Sequence, residues 1–177
     1  MTTPAVTRPS SADPSGATPQ RGAGSVAVLV LLVAVNFAVG FVGSLSTRTA
    51  VDGWYADAEK VAWNPPPAVF APAWSVLYVL MAVAAWLVWR RGGFGAARTA
   101  LTLYIVQLAL NAAWTPIFFS GRLVWLALVV IVALEVVLVA TAVAFWRHSK
   151  VASWLLGPYM VWVAFATTLN LGIAVLN

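Results

Sequence analysis

Three sets of residues in this chain repeat at helical spacing and mix flat aromatic rings with amides. Phe70, Trp74, Tyr78 and Met81 step by four, four and three. Gln107, Asn111, Trp114 and Phe118 step by four, three and four, and Pro158, Trp162, Ala166 and Asn170 by four throughout. Residues three or four apart share one face of a helix, so each set is a stripe. Such stripes suit a planar, largely apolar ligand, held by the rings and fixed in orientation by a few amides. On spacing alone they suit contacts between helices equally well, with the amides bonding across an interface beside small residues.

The chain carries little other chemistry. Cysteine is absent, which removes thiol nucleophiles, disulfides and thiolate metal sites. The single histidine, His148, lies in the polar turn RHSK with no partner beside it, and reads as a residue facing lipid headgroups. Glu135 is the one ionisable residue in the middle of an apolar run. An acid there costs roughly 2.5–3.5 kcal/mol on insertion scales. It reads first as a carboxyl bonded to a neighbouring helix and second as a proton or ligand site. No carboxylate pair, Ser–His arrangement or phosphate-cradling glycine loop is visible, so no catalytic or metal-binding residues are expected.

The elements that must carry the stripes follow from composition. Hydrophobic residues make up 62% of the chain and charged residues 8%, against about 25% charged in a soluble domain. Apolar runs cover 25–45, 67–89, 98–119, 123–146 and 151–176. Each reaches the roughly 20 residues that a helix needs to cross about 30 Å of hydrocarbon. The pattern predicts an all-α membrane protein, a five-transmembrane-helix bundle, with a long loop over 46–66 between helices 1 and 2. Within that loop ADAEKVAW is expected to form a short interfacial helix. Residues 1–23, rich in Pro, Ser, Thr, Ala and Gly, read as a disordered tail before a membrane domain over 24–177. The first run is too long for a signal sequence and is read as a retained span.

The basic residues mark the ends of the runs. Arg8, Arg21, Arg90, Arg91, Arg98, Arg147 and Lys150 fall on the N-terminal side, and Arg48, Lys60 and Arg122 on the other. This bias places the N-terminus in the cytoplasm. A net charge of +5 distributed in this way points to lipid as the partner, not nucleic acid. The Ala/Val/Arg-rich composition, with no organellar-type targeting segment, suggests a multi-pass protein from a bacterial source.

Of ten tryptophans, Trp86, Trp89, Trp125, Trp146 and Trp154 fall at span ends, where indoles gather at the membrane interface. Trp54 and Trp63 fall in the loop. Trp74, Trp114 and Trp162 lie inside spans. Trp74 sits seven residues into helix 2, roughly 10 Å deep at 1.5 Å per residue. The prolines of WNPPPAVFAPAW (63–74) stand before it. Pro65, Pro66 and Pro67 occupy the loop end and first turn, where missing amides cost little, and form a rigid lip to the aromatic face.

Three long stretches, WYADAEKVAWNPPPAVFAPAWSVLY (54–78), QLALNAAWTPIFF (107–119) and PYMVWVAFATTLN (158–170), resemble the TspO/translocator protein family. This is the family of tryptophan-rich sensory proteins and peripheral-type benzodiazepine receptors, and the likeness covers roughly residues 40–170. The resemblance implies a five-helix bundle, often a homodimer, with a pocket near the first loop. It implies binding of porphyrins such as protoporphyrin IX, or another flat apolar molecule, as a ligand and not as a covalent cofactor. The implied roles are porphyrin transport, sensing or regulation. Alternatives are light-dependent porphyrin breakdown using Trp74 and Trp162, or a structural or signalling role in the membrane. By motif position Tyr55, Trp74, Asn111, Trp162, Ala166 and Asn170 match pocket or nearby positions. With Phe70 and Trp114 from the stripes they form the candidate ligand-binding set. Three departures stand out. Lys60 is followed by Val61 where the family has proline, leaving a looser loop. Val130 replaces the usual acid of helix 4, and Glu135 lies on a different face. Helix 5 ends LNLGIAVLN, without the tyrosine and arginine of the animal cholesterol pattern.

Overall fold

The computed structural model describes residues 23–177, which fold entirely into helices and their connections. The elements are α1 (Ala23–Val51), α2 (Trp54–Asp57), α3 (Phe70–Trp89), α4 (Gly93–Ala96), α5 (Arg98–Thr115), α6 (Val124–Trp146), α7 (Lys150–Leu155) and α8 (Gly157–Leu176). Five stretches are long and apolar enough to cross a membrane: α1, α3 with its leading turn, α5 with its trailing turn, α6, and α7 with α8. This is the expected five-helix membrane bundle. In hydrocarbon every backbone N–H and C=O must be paired within the protein, and uninterrupted helices do that locally.

The helices close into a ring in the order α1, α3, α7–α8, α6, α5. Its core joins Met81, Ala84, Ala85 and Val88 of α3 to Leu134, Leu138 and Phe145 of α6 and Tyr159 and Val163 of α8. Valines such as Val129, Val136 and Val143 stay exposed on the outer face of α6, where lipid would meet them. Small residues set the close approaches. A Cβ on Gly40 of α1 would run into the Tyr78 ring of α3, and one on Gly172 of α8 into Val61. One seam is uneven. α3 meets α7 broadly but α8 only sparsely, so the two helices part toward the end where α3 begins.

Prolines explain two breaks in the spans. Pro116 has no N–H to continue α5, and the chain widens into a π turn over Pro116–Ser120, closed by Gly121 N–H on Pro116 O at 2.9 Å. Pro158 interrupts the fifth span, where Leu156 N–H tightens onto Ser153 O at 3.1 Å between α7 and α8.

The first connection differs from the expected long loop over 46–66. Polar residues from Ser46 onward do not stop α1, which runs on to Val51, and Thr47 Oγ1 donates back to Gly43 O at 2.9 Å without breaking it. The short helix forms over Trp54–Asp57, earlier than the expected ADAEKVAW, and 58–66 is a non-helical strap. The tail expected over residues 1–23 lies, apart from Ala23 at the start of α1, outside the described residues.

Candidate functional site

The widening seam between α3 and α8 is lined with rings. Phe70 and Trp74 project from the first turns of α3, four residues apart, and Trp162 faces them from α8. Trp74 stacks on Tyr78 with centroids 5.4 Å apart and meets Trp162 edge-on at 6.4 Å. Phe70 meets Trp162 edge-on at 5.8 Å, Tyr159 approaches Trp74 at 6.0 Å, and Phe165 packs on Trp162 at 5.8 Å. The Trp162 indole nitrogen is buried and has no hydrogen-bond partner. Buried indole N–H groups normally find one, so this unpaired donor sets Trp162 apart from the other indoles inside the bundle.

A second ring cluster lies nearby, between α2, the π turn and α8. Trp114 stacks on Phe118 at 5.2 Å, Tyr55 meets Phe118 and Phe119 at 6.1 and 5.4 Å, and Trp54 packs against Tyr55 at 5.8 Å. Here the indoles are bonded. Trp114 Nε1 donates to Asn170 Oδ1 at 3.1 Å, and Trp54 Nε1 to Phe119 O at 2.9 Å. Asn170 Nδ2 in turn donates to Val124 O at 2.9 Å, tying α8 to α5 and α6. The Tyr55 hydroxyl donates to Asn64 Oδ1 at 3.3 Å. Burial pushes the Tyr55 phenol up from its ordinary pKa, and the Asn64 bond opposes this.

Asn111 reaches the seam's two tyrosines from α5. It accepts from the Tyr78 hydroxyl at 3.3 Å and donates to the Tyr159 oxygen at 3.0 Å, so one buried amide links α3, α5 and α8. Ala166 is buried on the same helix as Trp162 and packs into the main core. Gln107, one turn before Asn111, is fully buried with neither amide atom paired. The structure gives the buried Glu135 Oε2 no hydrogen-bond partner either, so the expected bond to a neighbouring helix is not made through that oxygen.

The strap covers the open end of the seam. Glu59 and Asn177 exchange two hydrogen bonds, Glu59 N–H to Asn177 Oδ1 at 3.0 Å and Asn177 Nδ2 to Glu59 O at 3.1 Å. Val61 packs into the space over Gly172, and Trp63 Nε1 donates to Thr168 Oγ1 at 3.3 Å. From Thr168 on α8 the chain must then cross to Phe70 on α3, and Pro65–Pro67 make that crossing. The strap that lacks the family's proline after Lys60 is thus fastened along α8 by side chains.

The structure therefore brings Phe70, Trp74 and Trp162 together in one seam, with Ala166 behind it. It places Tyr55, Trp114 and Asn170 in the bonded cluster, and Asn111 on Tyr78 and Tyr159. Sequence reading left out Tyr159 and Phe165. Both stand three residues from Trp162, a spacing that puts them on its face. It also leaves Trp54 in the loop, whereas Trp54 lies in α2 and its indole bonds the Phe119 carbonyl in the π turn. The seam offers ring faces, ring edges and one free donor, with no carboxylate, imidazole or amine among Phe70, Trp74, Tyr78, Tyr159, Trp162 and Phe165.

Comparison with known proteins agrees with this geometry. The family model described as TspO/MBR family matches residues 32–176. The chain is 39% identical over 149 residues to the tryptophan-rich protein TspO of Archaeoglobus fulgidus, covering 84% of this chain and 96% of that one. It is 45% identical over 132 residues to the human translocator protein, covering 73% and 78%. A tryptophan-rich sensory protein of Cereibacter sphaeroides is 41% identical over 119 residues, covering 67% and 73%. Spans, aromatic seam and sequence identity converge, and this chain belongs to the TspO/MBR family.

Proposed function

We propose that the protein binds a porphyrin in the α3–α8 seam and serves its transport, sensing or regulation in the membrane. The observation that carries this reading is the buried, unpartnered indole N–H of Trp162, whose ring stands edge-on to Phe70 at 5.8 Å and to Trp74 at 6.4 Å between centroids. A macrocycle would lie against Trp74 and Trp162, bury its apolar faces, and accept from that N–H through a polar edge group. The strap would hold it in from above. Titration of purified protein with protoporphyrin IX in the dark tests this. A saturable shift of the porphyrin absorbance with quenching of tryptophan emission is expected, and a purely linear, detergent-like partition would oppose the reading.

The Trp74–Tyr78 stack, continued by the Asn111 link to Tyr159, favours a second reading in which light drives breakdown of the bound porphyrin through the tryptophans. Illumination of the complex decides it, because products identical to those of free porphyrin in light would remove it. The same proposal puts the N-terminus in the cytoplasm, on the distribution of Arg and Lys between the two ends. A reporter enzyme fused at the N-terminus should be active only on the cytoplasmic side.

A further inference from the structure

At the end of the bundle opposite the aromatic seam, α6 and the α7–α8 corner enclose an apolar groove of about 330 Å³. Val139, Ala142, Val143 and Trp146 line it from α6, Met160 from α8, and Arg147 stands at its mouth. The small side chains of Ala142 and Ser153 leave the space between the helices. The one hydroxyl in the lining is already used, since Ser153 Oγ donates to Ala142 O at 2.8 Å. The walls are therefore dry, and the exposed Val139, Val143 and Trp146 open them sideways, at the depth where hydrocarbon surrounds the bundle.

The mouth is basic. Lys150 Nζ lies 5.5 Å from the centroid of the Trp146 ring, so a second cation stands over a residue that lines the groove together with Arg147. Trp154, exposed and outside the lining, packs edge-on against Trp146 at 6.3 Å. Arg90, Arg91 and Arg98 fall at the same end, and no Asp or Glu among the described residues does. Asp52, Asp57 and Glu59 are at the far end and Glu135 is in mid-span. The counter-charge for this mouth must come from outside the described part of the chain.

We propose that the groove is a binding site for one anionic phospholipid, with an acyl chain along Val139, Val143 and Met160 and the phosphate against Arg147 and Lys150. A zwitterionic lipid fills the same groove with hydrocarbon but brings its own cation to the rim. An anionic one does not, and basic residues near a membrane surface contribute roughly five-fold each to the attraction. Selectivity thus comes from the rim and occupancy from the groove.

Protein purified in detergent and offered phosphatidylglycerol and phosphatidylcholine in equal amounts, then analysed by native mass spectrometry, tests both parts. The unaltered chain should retain phosphatidylglycerol preferentially. The double variant Arg147→Gln/Lys150→Gln should lose about 25-fold of that preference. Arg98→Gln, which removes a charge from the same end away from the groove, should keep it. Val143→Trp fills the groove without touching the charges, and should lower retention of both lipids. Equal retention of the two lipids by the unaltered chain would overturn the proposal. So would a loss in Arg98→Gln as large as that of the double variant, because the preference would then come from the general basic field. Unchanged retention in Val143→Trp would remove the groove from the account.

Discussion

Trp114 and Trp162 lie on facing helices, each within an aromatic cluster, each deep in a span, and they differ in the fate of one hydrogen. Trp114 donates to Asn170, which passes the connection on to the Val124 carbonyl, so its cluster is a joint between α5, α6 and α8. Trp162 donates to nothing. In the first cluster the polar groups are spent on the protein; in the second, one is unpaired. Of the two readings that spacing alone left open, the helix joint is seen at Trp114, and the ligand wall is our proposal for the α3–α8 seam.

The comparison breaks first at Asn170. Asn170→Leu leaves the partly buried Trp114 indole N–H unpaired and removes the tie to the Val124 carbonyl, which should cost about 2 kcal/mol. Unfolding followed by circular dichroism in detergent should show the loss, while porphyrin affinity per folded molecule stays within about two-fold. Trp162→Phe should do the opposite. It keeps one ring but removes the unpaired donor and part of the ring face, so porphyrin affinity should fall at least about five-fold, equivalent to roughly 1 kcal/mol, with a stability loss smaller than that of Asn170→Leu.

Gln107 sharpens the argument, because it too is buried and unpaired but stands away from the seam. Gln107→Leu removes two unpaired polar atoms from an apolar site, and should stabilise the bundle by about 1 kcal/mol without changing porphyrin affinity. Loss of binding in this variant would tie Gln107 to the ligand as well and extend the site beyond the α3–α8 seam. The smallest effect is expected at Gly172→Ala. Its methyl group displaces Val61 and loosens the strap, so porphyrin should dissociate a few-fold faster in stopped-flow traces with stability nearly unaltered.

The spans were legible because hydrocarbon thickness forces long apolar runs, and all five begin within a few residues of the expected places. The end of α1 was not, because polarity at Thr47 and Arg48 resembles a stop although nothing there breaks a helix before Gly53. The i, i+4 spacing put Phe70 and Trp74 on one face of α3 and Trp162 in a stripe on α8, but that these faces meet depends on the order of the helices. What spacing does not encode is which amide reaches which indole. Asn170 and Asn111 read alike in the sequence, yet one serves Trp114 and the other two tyrosines on different helices. Those choices depend on how the ring of helices closes, including the close pass that Gly40 allows at Tyr78.

The central claim, that the α3–α8 seam and not the bonded cluster takes the ligand, is tested most directly by one titration. Protoporphyrin IX absorbance, which does not depend on the number of tryptophans left, is followed in the dark against the unaltered chain, Trp74→Phe/Trp162→Phe and Trp114→Phe. The account predicts affinity at least about ten-fold weaker for the double variant, from lost stacking and the lost donor, and wild-type affinity for Trp114→Phe. Full affinity in the double variant, with loss in Trp114→Phe, would contradict it.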